Sequence, residues 1–356
     1  MNSSKNDKSY TIDKPVTEIN SDVYKSPKRP FSFQLDPARI ELATPDEKQE
    51  LVIMRESTSL WKDAWRRFRR NHFAMIALAF IIFMFLFAFL GPVLSPYSYD
   101  QQIRGSENMM PSFEHPFGTD KFGRDIMVRI MDGTQVSLVI GILAAFVTLI
   151  IGSIYGAISG LASPRVDNIM MRIVEIIYSM PDTLIVILLS IALKAPLDNL
   201  LNSYYIFEGI DMIGAPLLSM FFVFAFLYWV TMARIVRGQV LALKEQEFVL
   251  AAYAMGAGKG RIIRKHLLLN SMGPIIVTAT LQIPSAIFVE SFLSFIGLGI
   301  SAPKASLGSM VNDALNGIYT YPMRLVFPAV TIALIILAFN TLGDALRDVL
   351  DPRMKK

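Results

Sequence analysis

At 356 residues, 53% hydrophobic and only 18% charged, with a mean hydropathy of +0.44, the chain lies outside the composition of soluble globular proteins, in which charged residues make up about 25%. The absence of cysteine excludes a disulfide framework or thiolate metal site, and His72, His115 and His266 are too scattered to form a metal centre, so none is expected. The formal charge of +4 sits beside apolar runs, where membrane topology accounts for it, and no nucleic-acid partner is expected.

Residues 1–60 are polar, with Pro15, Pro27, Pro30, Pro37 and Pro45 and no long apolar run, so they read as a tail that cannot bury enough surface to order itself. No cleavable signal peptide is expected, because an apolar stretch near the N-terminus is missing. Spanning a hydrocarbon core of about 30 Å takes about 20 apolar residues. Six segments qualify: Phe73 to Leu94, Val136 to Leu161, Ile176 to Leu193, Pro216 to Val236, Pro274 to Ile300 and Leu325 to Leu342.

Positive charge near spans is retained in the cytoplasm. With six spans threaded, Lys62, Arg66, Arg67, Arg69, Arg70, Arg165, Arg172, Lys244, Lys259, Arg261, Arg264, Lys265, Arg347, Arg353, Lys355 and Lys356 fall on one side. Arg104, Lys121, Arg124, Arg129, Lys194, Lys304 and Arg324 fall on the other, sparser side. Both termini are therefore expected in the cytoplasm of a multi-pass cell-membrane protein. The division is a cytoplasmic tail over 1–60, a juxtamembrane helix, first span and extracytoplasmic loop over 61–135, a five-helix core over 136–345 and a cytoplasmic tail over 346–356.

In span two, Gly152, Gly156 and Gly160 recur every four residues and present one small face for close helix approach. Glu175, with Arg172 one turn before it, reads as an i, i+3 ion pair at the cytoplasmic end of span three. In span five, Pro284 removes a backbone donor, and Glu290 is an ionisable group that must face protein or water, either lining a pathway or bonding across helices.

Between spans four and five, strong helix formers run from Glu247 to Met255, then Gly256, Gly258 and Gly260 break the run, and a second helical stretch passes through His266 to Asn270. A helix–turn–helix makes a rigid knob, with Ala251, Ala252 and Gly256 as its small face and Glu247 as a charged handle. The run Gly256-Ala-Gly-Lys259-Gly is not a phosphate loop, because Tyr253 and Gly260 stand where glycine and serine or threonine are required.

This segment resembles the EAA loop of binding-protein-dependent ABC importer permeases, carried here by Ala251, Ala252, Gly256 and His266 to Asn270, at about 243–270. The family usually has proline where this chain has Leu269. After the first span, His115-Pro-Phe-Gly118-Thr119-Asp120-Lys-Phe-Gly123-Arg124-Asp125 is similar to an extracytoplasmic signature of the branch that imports oligopeptides and dipeptides. Glu290 to Gly299 and Ala338 to Arg353 look like further blocks of that branch and of its C-type subunit.

The resemblance implies an all-α membrane protein of the type I permease fold with six transmembrane helices and coupling helices. It implies a non-catalytic subunit, with ATP and magnesium held by two ATPase partners. It also implies a homologous second permease and an external solute-binding protein. Glu247, Ala251, Ala252, Met255, Gly256 and His266 would be the ATPase-coupling residues, and Pro284 and Glu290 candidates for the pathway or its gate. The alternatives are a nickel or other small-solute permease of the same branch, an ion-coupled carrier, for which internal repeats are not evident, and a membrane enzyme, for which catalytic motifs are missing.

Overall fold

The computed structural model describes residues 60–203, 214–300 and 304–350, and the expectations for the tails at 1–59 and 351–356 lie outside the described residues. The described chain is helical apart from loops and one isolated bridge between Thr119 and Asp125. Its helices are α1 (Leu60–Phe68), α2 (His72–Leu94), α3 (Ile126–Leu161), α4 (Pro164–Ser179), α5 (Asp182–Ser203), α6 (Gly214–Leu227) and α7 (Trp229–Leu243). They continue with α8 (Glu247–Ala254), α9 (Lys259–Ile262), a π-helical turn (Ile263–Leu267), α10 (Leu268–Asn270), α11 (Met272–Phe295), α12 (Leu307–Leu315) and α13 (Met323–Leu350).

Among the described residues, six stretches are long and apolar enough to cross a membrane: His72–Leu94, Ile126–Leu161, Asp182–Leu200, Leu217–Leu243, Met272–Phe295 and Met323–Leu350. In α2, Ala74, Ala77, Ile81, Met84 and Ala88 are buried at alternating spacings of three and four, while Phe73, Phe83, Leu86 and Leu90 on the other face are exposed. That pattern is an inward seam of small and medium residues with a lipid-facing exterior.

The central element is α3, which packs against α2, α6, α7 and α11. It begins ten residues before the expected Val136, because Asp125 caps it by accepting from the Val128 N–H at 2.9 Å, and its first turns carry Arg129 and Asp132 into protein rather than lipid. Its 36 residues reach about 54 Å, well beyond the hydrocarbon core. The Gly152, Gly156 and Gly160 face lies against α7. A Cβ on Gly152 would come within 2.5 Å of Met232, one on Gly160 within 2.6 Å of Val240, and one on Gly156 would collide with the Ala233 carbonyl.

Span three departs from its expected start at Ile176. That residue belongs to α4, which ends at Ser179, and the new helix starts at Asp182 because Pro181 holds Met180 in extended backbone. Glu175 therefore sits on α4, where its ion pair with Arg172 is present at 2.9 Å and exposed. Span four runs on past Val236 to Leu243, and span five ends at Phe295 instead of Ile300. Span six extends to Leu350, with Asp344, Arg347 and Asp348 exposed at its end.

Candidate functional site

Glu247 opens α8, which runs to Ala254 with Met255 as its C-cap. The helix stops in a Schellman turn: the Ala257 N–H donates to the Ala252 carbonyl at 3.0 Å and the Gly256 N–H to the Tyr253 carbonyl at 2.9 Å. This turn requires a left-handed residue, and Gly256 supplies it at φ +80°. The chain then reverses through Gly258 into α9 and the π-helical turn that contains His266. A single residue, Ser271, separates α10 from α11, so the second arm feeds directly into span five even with Leu269 at the position where proline is usual.

The inner side of this knob is packed. Val249, Ile262 and Leu267 are fully buried with Val236 and Val240 of α7 and Ile275 of α11. The His266 ring lies 6.3 Å from that of Phe248, joining the two arms. The other side is open. Ala251 and Gly256 are exposed, Ala252 is half-buried, and Met255 at the tip is 88% exposed, with Phe248, Leu250 and Tyr253 exposed nearby. The arrangement is a stiff element, anchored to spans four and five, that presents apolar and small residues to whatever meets it.

A second ordered site lies in the loop between α2 and α3. Gly118 at φ +77° and Gly123 at φ +71° hold turns in which a Cβ would collide with the Met109 and Ile103 carbonyls respectively. Thr119 accepts from the Met109 N–H at 2.8 Å, and His115 Nδ1 lies 2.7 Å from Asp125 Oδ2. Asp120 accepts from Arg124 Nε at 2.7 Å, from the Phe122 and Arg124 backbone N–H groups and from Arg129. Burial pushes the Asp120 carboxyl up, but Arg129, those two backbone donors and the Arg124 guanidinium outweigh it and hold the group below the ordinary carboxylate range.

Asp120, Arg124, Arg129, Asp313 and Arg324 line a cavity of about 20 Å³, room for one water. Arg129 Nε and Arg324 Nε and Nη2 face no hydrogen-bond partner among the described residues.

Pro284 is buried inside α11, which runs unbroken to Phe295. Glu290, fully buried, accepts from Ser137 of α3 at 2.8 Å and from Ser294 at 2.9 Å, and Ser291 lies at 3.3 Å. Sequence reasoning missed a second fastener. Arg237 of α7 donates through Nε and Nη2 to Asp167 of α4 at 2.7 and 2.6 Å, and Ser159 of α3 donates to the same carboxylate. These hydrogen bonds from Arg237 hold the Asp167 carboxyl below its usual range against the upward push of burial.

The segment 152–356, which contains the glycine seam, the knob and Glu290, matches the family described as binding-protein-dependent transport system inner membrane component. The chain belongs to that family. Residues 59–111 of this permease match a second model, the N-terminal transmembrane domain of oligopeptide transport permease C.

The permease is 46% identical over 305 residues to the dipeptide transport system permease protein DppC of Bacillus subtilis, covering 85% of this chain and 89% of the relative. It is 45% identical to the oligopeptide transport system permease protein OppC of the same organism, over 85% and 93% of the two chains. It is 39% identical to OppC of Escherichia coli K12, over 84% and 93%. It is thus an inner-membrane, multi-pass transport component, and the knob at 247–270 lies within the matched family segment.

Proposed function

We propose that this permease is one of two homologous membrane subunits of an ATP-driven importer of oligopeptides or dipeptides, and that it forms half of the solute pathway. The relatives' names support the solute class. The observation that carries the mechanism is the knob formed by α8 to α10, packed on its inner face and open at Ala251, Gly256 and Met255. In this reading it docks on one of two ATPase partners, which hold the ATP and magnesium and hydrolyse the nucleotide. The distribution of lysine and arginine supports cytoplasmic placement of the knob and of both termini, with the loop between α2 and α3 facing outward.

When the two ATPase subunits close, they draw two such knobs together and swing the spans attached to them. Driving a two-state bundle almost completely from one side to the other takes about 5.5 kcal/mol of differential interaction. Only a stiff connection transmits that, and the knob is continuous with spans four and five through Leu243 and Met272. Outside, the His115 to Asp125 loop, held rigid around the buried Asp120, Arg124 and Arg129 cluster, offers the landing surface for a solute-binding protein. Glu290, surrounded by serines, acts here as a tie between α3 and α11.

The test is uptake of a labelled peptide by cells expressing Gly256→Arg or Ala252→Trp. Both variants insert into the membrane and lose most ATP-driven uptake; wild-type uptake in either one refutes the docking role.

A further inference from the structure

The chain bends just before span three, and span four carries a local irregularity at Tyr228; the two places meet. Between α4 and α5, Met180 and Pro181 leave the helical path. Between α6 and α7 the regular helix lapses at Tyr228, and the Trp229 indole N–H donates to the Phe226 carbonyl at 2.9 Å. At helical rise, Tyr228 lies about 17 Å from Leu217 and about 22 Å from Leu243, near the middle of its span.

The two breaks share one cavity of about 370 Å³, lined by Tyr178, Met180, Asp182, Tyr228, Val230 and Thr231 among others. That size lies within the roughly 300–1,000 Å³ of small-molecule sites.

Asp182 is the charge in this cavity. It accepts from the Thr183 N–H at 2.8 Å and makes no ion pair among the described residues. Its place in the first turn of α5 suits the helix dipole, yet a carboxylate has about four lone-pair sites, most of which remain free here. Asp182 is the first residue of span three and is exposed rather than sealed in hydrocarbon, so its carboxylate is accessible to a ligand in the cavity. One face of Tyr178 is already covered by the Arg234 guanidinium at 3.6 Å, which leaves Tyr228 as the open aromatic wall and puts a positive charge beside the cavity.

We propose that this cavity is a subsite of the solute pathway for a primary ammonium group, the amino terminus of a transported peptide. Asp182 is its counter-charge and Tyr228 its aromatic wall, while Met180 and Val230 receive the adjoining apolar side chain. Arg234 beside Tyr178 gives the site opposite charges at separate places, which suits a zwitterion. This inference rests on the peptide-importer reading above.

The experiment uses the whole complex, with its ATPase partners and binding protein, in proteoliposomes. Uptake of a labelled tripeptide with a free amino terminus is measured alongside ATP hydrolysis, and the quantity read is peptide imported per ATP. Asp182→Asn keeps the side-chain volume and the acceptor for the Thr183 N–H while removing the charge. It should lower the ratio about tenfold or more, and Asp182→Glu should recover most of it.

Equal ratios in the wild type and Asp182→Asn overturn the subsite and leave the importer reading standing. A wild-type complex that hydrolyses ATP when supplied with peptide-loaded binding protein, yet imports no peptide, overturns the importer reading instead. If complexes carrying Asp182→Asn cannot be recovered, Tyr228→Leu decides: a reduced ratio supports the subsite, and an unchanged one removes it.

Discussion

Ser137 of α3 donates a 2.8 Å hydrogen bond to Oε2 of Glu290 on α11, a carboxylate 153 residues further along the chain. This bond joins two spans in a site sealed from solvent, where the Ser137 and Ser294 hydroxyls both donate to the carboxylate. Glu290→Leu strands those hydroxyls and should cost about 1–3 kcal/mol, whereas Glu290→Gln keeps most of the network. Thermal unfolding of the purified complex in detergent measures both. Full stability of Glu290→Gln combined with lost uptake would assign Glu290 to the solute pathway instead.

Two glycines should respond in opposite directions. A Cβ on Gly156 would run into the Ala233 carbonyl, so Gly156→Ala should separate α3 from α7 and cost about 1–3 kcal/mol. Gly238, in α7, has nothing within 4 Å of its Cβ position. Gly238→Ala should gain about 0.5–1 kcal/mol from helix propensity alone. Denaturation of the two variants side by side checks the sign of each.

The Asp167–Arg237 pair links α4 to the helix that leads into the knob. Its side chains are partly exposed, at 12% and 29%, so it is worth less than a fully buried pair. A double-mutant cycle with Asp167→Ala and Arg237→Ala should give a coupling of about 1–2 kcal/mol. A coupling near zero would mean that the two side chains do not support each other.

Asp120 should make the α2–α3 loop acid-sensitive. Its folded-state pKa lies below the unfolded value of about 4, so its stabilisation is present above that pH and is lost as pH falls through the folded pKa. Hydrogen exchange of residues 103–125 should accelerate below about pH 4 in the wild type. In Asp120→Asn the exchange should already be fast at neutral pH and lose most of its acid dependence.

The six spans were legible because each is a long apolar run, and the knob was legible because helix formers give way to three closely spaced glycines. The glycine seam followed from spacing alone. Helix ends were less legible wherever a helix outlasts its apolar stretch. The first turns of α3, through Arg129 and Asp132, are polar helix buried against the loop, and the last turns of α7 carry Arg237, so hydropathy cut both short. The break before Asp182 had a signal in Pro181, but the apolar run from Ile176 masked it. The Asp167–Arg237 pair, 70 residues apart, has no local signature at all.

The chain contains no cysteine, so Met255→Cys introduces a single thiol, at the exposed tip of the knob. With a photo-activated cross-linker on that thiol in the assembled complex, the expected product joins this permease to an ATPase subunit and disappears when Gly256→Arg is added. Failure to form any adduct with an ATPase subunit, or labelling of the thiol by an impermeant reagent outside intact cells, would contradict the docking of this knob.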